Sequence, residues 1–249
     1  MAYLRIIILL LLSVPLKAQD ADVILKEAQK LETSFREADA LPQYLQVLRL
    51  QPSNIAVLCK VSELYNVLGK RQASKETERQ YYRTGKAYAE KALSVNPNYS
   101  DANFVMAMAM GRMSLMSSGS EKIKAVKEIK YYAERCIQLD PNNFKGYHVL
   151  GKWHYEVSDL NSLERWLVKV TYGSLPQSSL DQSIYYYEKC GKLNPSFVLN
   201  YLELAKAYKR KEEDSKAIAL LNTMLKLPSL TGDDARIKSE GRKLLEEMK

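Results

Sequence analysis

The chain repeats one short phrase in which a proline follows an apolar-polar-apolar stretch. The copies are LRLQPSN at 48–54, LSVNPNY at 93–99, IQLDPNN at 137–143, KLNPSF at 192–197 and a degenerate KLPSL at 226–230. Successive prolines are 45, 44, 54 and 33 residues apart. Because proline has no amide hydrogen and disfavours helix in the residue before it, each copy predicts the end of one helix and a new start for the chain.

A second pattern follows four of these prolines, with residues spaced by three, one and three positions. Its four positions hold, in order, a residue of variable type, a large apolar residue, a small residue and a large, usually aromatic residue. The copies are Leu58, Val61, Ser62, Tyr65; Asn103, Met106, Ala107, Met110; Tyr147, Leu150, Gly151, His154; and Tyr201, Leu204, Ala205, Tyr208. On a helix this spacing puts all four side chains on one face, and the small residue lets a second helix approach closely. This is the tetratricopeptide (TPR) pattern, and we call its four positions the template.

The predicted fold class is therefore all-α: a TPR-like right-handed α-solenoid of helical hairpins with a C-terminal capping helix. After a signal peptide at 1–18, one TPR-like domain occupies 19–249. Its repeats lie roughly at 22–53, 54–98, 99–142, 143–196 and 197–229, followed by a terminal helix at 233–248. Three of the proline intervals exceed the usual TPR length, and the largest insertion is SDLNSLERWLVKVTYGSLPQSS at 158–179.

The amino terminus is typical of a secretory signal peptide. Arg5 precedes an apolar run at Ile6–Leu12, and Pro15 and Ala18 follow it. An uncleaved membrane anchor is the alternative, but a helix that spans a bilayer needs about 20 apolar residues and this run is shorter. Cleavage before Gln19 is expected, which predicts a periplasmic or secreted protein; the alternative is N-terminal anchoring in a membrane.

The sequence offers no arrangement of residues typical of an enzyme. Cys59, Cys136 and Cys190 are dispersed and form no CxxC, so we expect free thiols packed between helices. His148 and His154 are the only histidines, and a separation of six places them on different faces of a helix. No serine-hydrolase, zinc-protease or phosphate-loop motif occurs. We therefore predict no catalysis, no cofactor and no metal.

Tyrosines cluster near basic residues, which raises the question of nucleic-acid stacking. The clusters are Tyr81-Tyr82, Tyr131-Tyr132 and Tyr185-Tyr186-Tyr187. They fall in the second helix of each hairpin, where large residues fill the space between repeats, so packing is the preferred interpretation. The excess of 37 Lys and Arg over 29 Asp and Glu, a net charge of +8, is modest for a chain of 249 residues. We predict no nucleic-acid partner.

In a TPR hairpin the first helix lines the concave groove. The template positions show which side chains of that helix pack inward, and the spacing between them then indicates which other side chains face the groove. The predicted binding residues are Phe104, Arg112, Lys145, His148, Lys152, Tyr155, Lys206, Lys209 and Arg210. Cations among aromatic side chains suit a partner protein or peptide of acidic character. The predicted function is an adaptor that binds protein segments; the alternative is a module that binds or transfers anionic phospholipid.

From about Pro141 onward, the chain resembles one particular family. The most specific segments are LGKWHYEV at 150–157, the Tyr172-Gly173-x-x-Pro176 turn and the closing LP-x-x-Thr-x-Asp-Asp phrase at 227–234. Together they resemble the regulator of microtubule dynamics family, in which a Cys commonly occupies the position of His154. The resemblance implies a TPR adaptor, and one family member binds and transfers phospholipid through its TPR domain. With the signal peptide, it suggests a bacterial exported relative.

Overall fold

The computed structural model describes residues 20–248, and these contain helices but no β-strand. The all-α, TPR-like class is confirmed. The helices are α1 at 20–33, α2 Glu37–Leu50, α3 Ile55–Lys70, α4 Lys75–Val95, α5 Ser100–Ser114, α6 Gly119–Leu139, α7 Phe144–Ser158, α8 Ser162–Tyr172, α9 Leu180–Leu193, α10 Val198–Arg210, α11 Asp214–Lys226 and α12 Asp234–Glu247. They group into two compact units, one ending at Val95 and the other beginning at Asn96.

Each repeated proline lies two residues beyond the end of a helix, as the phrase predicts. Leu50, Val95, Leu139, Leu193 and Lys226 are the last helical residues before Pro52, Pro97, Pro141, Pro195 and Pro228. After the first and third of these prolines an asparagine caps the next helix. The Asn54 side chain accepts a hydrogen bond from the Val57 amide, and the Asn143 side chain accepts one from the Lys145 amide.

In the unit that ends at Val95, the core is built from α1, α2 and α3 with tyrosines of α4 against it. Ala28, Ala40, Val47 and Val61 are completely buried. Small residues allow close contact between α3 and α4, since the Ser62 hydroxyl donates a hydrogen bond to the Gly85 carbonyl over 2.8 Å.

In the unit that begins at Asn96, three hairpins are formed by α5 with α6, α7 with α9, and α10 with α11, and α12 covers the end. Contacts between α5 and α7, between α7 and α10, and between α10 and α12 place these four helices in one layer. The insertion at 158–179 contains a complete extra helix, α8, which contacts α6. The repeat pattern gave no indication of this helix.

Gly151 and Ala205 occupy the predicted positions of close helix packing. A Cβ atom on Gly151 would lie 2.6 Å from Cδ1 of Tyr187 on α9, a distance that real Cβ atoms do not reach. The Gly151 carbonyl also accepts a hydrogen bond from the Ser183 hydroxyl over 2.8 Å. Ala205 is completely buried. The template position that holds a small residue therefore lies where paired helices are in contact.

All three cysteines are free and buried, as predicted. The Cys136 sulfur lies 3.3 Å from the Ser100 hydroxyl oxygen. Burial raises the pKa of Cys136 to about 11 and that of Cys190 to about 12. Since the thiolate is the reactive form, these two residues are inert packing groups at neutral pH.

Candidate functional site

The nine predicted binding residues all lie on the layer of α5, α7 and α10, next to α12. They are Phe104 and Arg112 on α5; Lys145, His148, Lys152 and Tyr155 on α7; and Lys206, Lys209 and Arg210 on α10. We call the surface of α5, α7, α10 and α12 that carries them the charged face. The structure thus places these residues on neighbouring helices, and it brings Tyr155 and Arg210, 55 positions apart, into contact.

The centre of the charged face is an alternating chain of acids and bases. One Glu203 carboxylate oxygen lies 2.7 Å from the Lys152 ammonium, and the other lies 3.1 Å from the Lys206 ammonium. Lys206 continues to Glu240 of α12 over 2.7 Å, and Lys152 also contacts Glu156 over 2.9 Å. The network ties α7 to α10 and α10 to α12.

Glu203 is the buried member of this network, with a side chain that is 9% exposed. Burial alone would raise the pKa of its carboxyl group, but the ammonium groups of Lys152 and Lys206 outweigh burial and the pKa is lowered. For Lys152 and Lys206, burial alone would lower the pKa, but Glu203 raises it in both. All three groups are therefore charged at neutral pH.

Arg210 and Tyr155 form a second cluster at the carboxyl end of α7. The Arg210 guanidinium donates to the Tyr155 carbonyl and to the Ser158 hydroxyl, each over 2.7 Å, and lies 3.3 Å from Asp159. Its central carbon is 4.7 Å from the centre of the Tyr155 ring, and the Lys152 ammonium is 5.4 Å from the same ring. Arg210 thereby satisfies one carbonyl at the end of α7, and two cations lie near the Tyr155 ring.

The two remaining predicted lysines, Lys145 and Lys209, also have partners. Lys145 lies 3.8 Å from Asp101 and 4.9 Å from the centre of the Phe104 ring. Phe104 is only 8% exposed and belongs to the core more than to the surface. Lys209 lies 3.6 Å from Glu247 of α12. Each of the four predicted lysines, like Arg210, is therefore next to a carboxylate, which lowers the net positive charge that the sequence suggested for this face.

His148 connects helices inside the layer. Asn200 uses its amide nitrogen to donate to the Tyr187 carbonyl, so its oxygen faces Nδ1 of His148, 3.1 Å away, and accepts the hydrogen bond. The imidazole also packs against Phe197, with ring centres 4.9 Å apart. Burial lowers the pKa of His148. Its neutral form links α7 to α10.

His154 is a packing residue, as its place in the template suggests. It is 5% exposed, and its ring stacks on Tyr186 with centres 5.4 Å apart. Burial, with the nearby Lys130 charge, lowers its pKa to about 4. Its Nδ1 is buried and has no hydrogen-bond partner among the described residues. Within residues 20–248, no three His, Cys, Asp or Glu side chains are grouped to hold a metal ion.

The tyrosine clusters only partly match the packing interpretation. Tyr82 and Tyr187 are buried, at 1% and 0% exposure. Tyr131 and Tyr185 are instead 61% and 48% exposed. A run of neighbouring residues cannot all face inward on a helix, because successive side chains are about 100° apart, so Tyr131 and Tyr185 point to solvent.

Sequence reasoning missed the acidic half of the charged face. Asp101, Asp159, Glu203, Glu240 and Glu247 supply the carboxylates. Two pairs of the network, Glu203 with Lys206 and Lys152 with Glu156, are three and four positions apart, a spacing that brings side chains together on a helix and could have been recognised in the sequence. The others join different helices, and the sequence alone does not give that pairing.

The fold and the charged face define a TPR-type helical repeat protein. Among solved structures, a thermophilic TPR protein from Thermus thermophilus superposes with a TM-score of 0.68 at 12% identity, covering 91% of this chain and 99% of that one. The Pseudomonas aeruginosa pilF protein gives 0.56 at 13% identity, covering 93% of this chain and 90% of that one. At such low identity these matches show the fold alone.

Sequence comparison assigns the chain to one family within the TPR fold. The profile of the family described as regulator of microtubule dynamics protein 1-3 matches residues 19–249, so the chain belongs to that family. Regulator of microtubule dynamics protein 2 from Homo sapiens is 24% identical over 78% of this chain and 48% of its own length. The Caenorhabditis elegans protein 1 is 25% identical over 70% of this chain and 76% of its own length. The chain thus spans about half the length of the human relative.

Proposed function

We propose that this chain is a non-enzymatic interaction module that binds an extended acidic segment of a partner protein along its charged face. The observation that carries the proposal is the chain Lys152–Glu203–Lys206–Glu240, in which a buried acid holds two partly exposed cations at the surface. The lysine side chains are 43% and 28% exposed, so each ammonium keeps directions open to a ligand.

Binding would proceed by exchange of partners. Ion pairs at the surface contribute only about 0.2–1 kcal/mol each, so a carboxylate from a partner can replace one from the chain at little cost. Glu240, Glu247 and Asp159 are 47%, 65% and 71% exposed and are the carboxylates that a partner displaces. Glu203 stays in place because it is buried between two lysines. Tyr155 adds an aromatic surface next to two cations, Lys152 and Arg210.

Two variants with opposite expected effects test the proposal. Changing Lys145, Lys152, Lys206 and Arg210 to Ala should abolish binding of an acidic peptide such as an oligoglutamate, measured at about 0.1 M salt. Changing Asp159→Asn, Glu240→Gln and Glu247→Gln removes the competing carboxylates and should strengthen that binding. Unchanged affinity in both variants would contradict the proposal.

The control for these variants removes the same number of positive charges elsewhere. Lys122, Lys169, Lys189 and Lys192 are exposed and lie outside the charged face. Their replacement by Ala should leave peptide binding within about two-fold of the parent, because long-range charge is screened within about 10 Å at 0.1 M salt. Equal loss in this control would show that only net charge matters.

Anionic phospholipid is the second ligand to test with the same variants. A lipid tail needs an enclosed apolar volume of several hundred cubic ångströms, whereas the charged face is polar at its surface. Vesicles containing phosphatidic acid therefore serve as the comparison. Loss of vesicle binding in the Ala variant, with peptide binding unchanged, would favour lipid over protein as the ligand.

We further infer that the module acts outside the cytoplasm. Its support is the sequence of residues 1–18, which lie outside the described residues. Among residues 20–248 no helix is long and apolar enough to cross a membrane. N-terminal sequencing of the protein isolated from its source should begin at Gln19. A start at Met1 or Ala2 would instead indicate an uncleaved anchor.

A further inference from the structure

Three helices of the unit that ends at Val95 line a cavity of about 300 Å³, which shares no residue with the charged face. The lining residues are Leu45, Leu48 and Arg49 of α2, Pro52, Leu58 of α3, and Tyr88 and Lys91 of α4. The spacings of α2 and α4 residues, three and four apart, put each set on one face of its helix. The cavity opens to solvent and is at the small end of ligand sites, which start near 300 Å³.

The lining is divided between an apolar floor and a cationic rim. Leu58 is 2% exposed and forms the floor with half-buried Leu45 and Leu48. Arg49 and Lys91 are exposed. The Lys91 ammonium lies 5.0 Å from the centre of the Tyr88 ring.

The two rim cations have no carboxylate partner among the described residues, unlike several other cations of the same unit. In the same unit, Lys60 lies 2.7 Å from Glu32 and Lys86 lies 2.7 Å from Glu90. Arg49 and Lys91 make no ion pair with any residue in the described range 20–248. Two unneutralised cations beside an apolar floor are complementary to a ligand that joins an aliphatic group to an anion.

We propose that this cavity binds the C-terminal residue of a partner protein whose last side chain is aliphatic. In such a residue the side chain and the carboxylate are bonded to one Cα atom, so both fit within a small volume. The side chain contacts Leu45, Leu48 and Leu58, and the carboxylate lies between Arg49 and Lys91. The rest of the partner leaves through the open side.

A chain end suits the cavity better than a fatty acid does. An acyl chain requires a long enclosed apolar channel, and this cavity is short and open. A chain end also suits the cavity better than an internal acidic side chain does, because the backbone of an internal residue must pass the rim in both directions. The proposal does not rest on the charged face, since every lining residue lies before Val95.

The test titrates the full chain, labelled with nitrogen-15, with two peptides and follows amide chemical shifts. The first probe is acetyl-Gly-Ser-Gly-Ser-Ala-Leu with a free carboxylate, and the second is the same peptide with a C-terminal amide. The acid should bind at least about five-fold more tightly, which is the effect of about 1 kcal/mol from two exposed cations. Shifts should be centred on Leu58, Tyr88 and Lys91. Equal affinity for acid and amide would overturn the proposal.

Variants then separate the carboxylate contact from general charge. Arg49→Gln with Lys91→Gln should reduce the affinity for the acid to that for the amide. The matched control is Lys30→Gln with Arg83→Gln, two exposed cations of the same unit outside the cavity, and it should retain the preference. Loss of the preference in the control, or its retention in the cavity variant, would contradict the assignment.

Two further probes test the identity of the ligand. An internal acidic peptide, acetyl-Gly-Ser-Leu-Glu-Gly-Ser-amide, should bind no better than the amidated probe. Decanoate should not displace the free-acid peptide. Equal binding of the internal peptide would overturn the assignment to a chain end, and displacement by decanoate would replace it with a fatty acid. Neither result depends on the variants of the charged face, so this proposal and the proposed function can fail separately.

Discussion

At the scale of single residues, glycines show where the helices leave no room for a side chain. Gly151 faces the ring of Tyr187, and a Cβ atom there would approach ring carbons to 2.6–2.8 Å. Gly111 lies in α5, and nothing lies within 4 Å of the Cβ atom it would carry. Two helical glycines thus differ only in what faces them.

Their substitution should have opposite effects. Changing Gly151 to Leu should lower the free energy of unfolding by about 1–3 kcal/mol through overpacking. Changing Gly111 to Ala should raise it by about 0.5–1 kcal/mol, because alanine loses less backbone freedom in a helix. Thermal unfolding followed by circular dichroism measures both. A Gly151→Leu variant with the parent melting temperature would show that α7 and α9 do not pack at this point.

His154 should make stability depend on pH. Its pKa is lowered to about 4 in the folded protein, below the 6.5 of an unperturbed histidine, so the unfolded chain binds the proton more tightly. This contribution to stability is complete above about pH 6.5 and is lost as the pH falls towards 4. Between pH 7 and 5 the loss is about 1–2 kcal/mol.

The matched variant is His154→Phe, which keeps an aromatic ring in the slot and removes the titrating group. Urea unfolding of both proteins at pH 7, 6 and 5 gives the comparison. The parent should lose stability more steeply than the variant, while acids such as Glu203 contribute equally to both curves. If the free energies of unfolding of the two proteins changed in parallel with pH, the pKa of His154 would be the same in the folded and the unfolded state.

At the scale of helices, local signals predicted the ends of the elements well. The five helices before the repeated prolines end two residues ahead of each proline, because proline acts on its immediate neighbours. The start of α12 is also local. The Asp234 carboxylate accepts hydrogen bonds from the amides of Leu230 and Thr231 over 2.7 and 2.9 Å, which closes the turn encoded by the LP-x-x-Thr-x-Asp-Asp phrase.

Pairing between helices was harder to predict. Lys152 and Glu203 are 51 positions apart, and their contact depends on how α7 and α10 pack. The cations of the charged face were therefore found from the repeat template, but their acidic partners were not. The extra helix α8 was missed for a different reason, since it has no counterpart in the other repeats. Its capping box, in which Asn161 and Glu164 satisfy each other's backbone amides, was the local signal available.

Two pairs of helices pack closely through the same contact, a serine hydroxyl that donates to a glycine carbonyl on the other helix. In the unit that ends at Val95, Ser62 on α3 donates to the carbonyl of Gly85 on α4 over 2.8 Å. In the other unit, Ser183 on α9 donates to the carbonyl of Gly151 on α7, also over 2.8 Å. The serine and the glycine have exchanged helices. The template detects the small slot on the first helix of each pair but not its complement on the second, because that complement has no fixed sequence pattern.

At the scale of the whole molecule, the division at Val95 and Asn96 was not visible in the repeat pattern, since the phrase at 93–99 resembles the others. Each unit nevertheless has a core of its own. In the unit that begins at Asn96, Leu150, Tyr187, Leu202, Leu221 and Met224 are all completely or nearly completely buried. Its last hairpin is covered by α12, whose Ile237 and Leu245 are 4% and 5% exposed.

These features predict that residues 96–249 fold without the preceding unit. Three hairpins and a terminal helix satisfy the condition that at least about three stacked repeats are needed to bury a continuous core. The fragment should show a helical circular dichroism spectrum and one cooperative thermal transition. The single hairpin 96–139, which contains only α5 and α6, is the control and should not fold, because its Ala107 and Ala133 are buried in a core that includes Leu150 of the next hairpin. A fragment 96–249 that is helical but melts without a cooperative transition would show that its core depends on residues before Asn96.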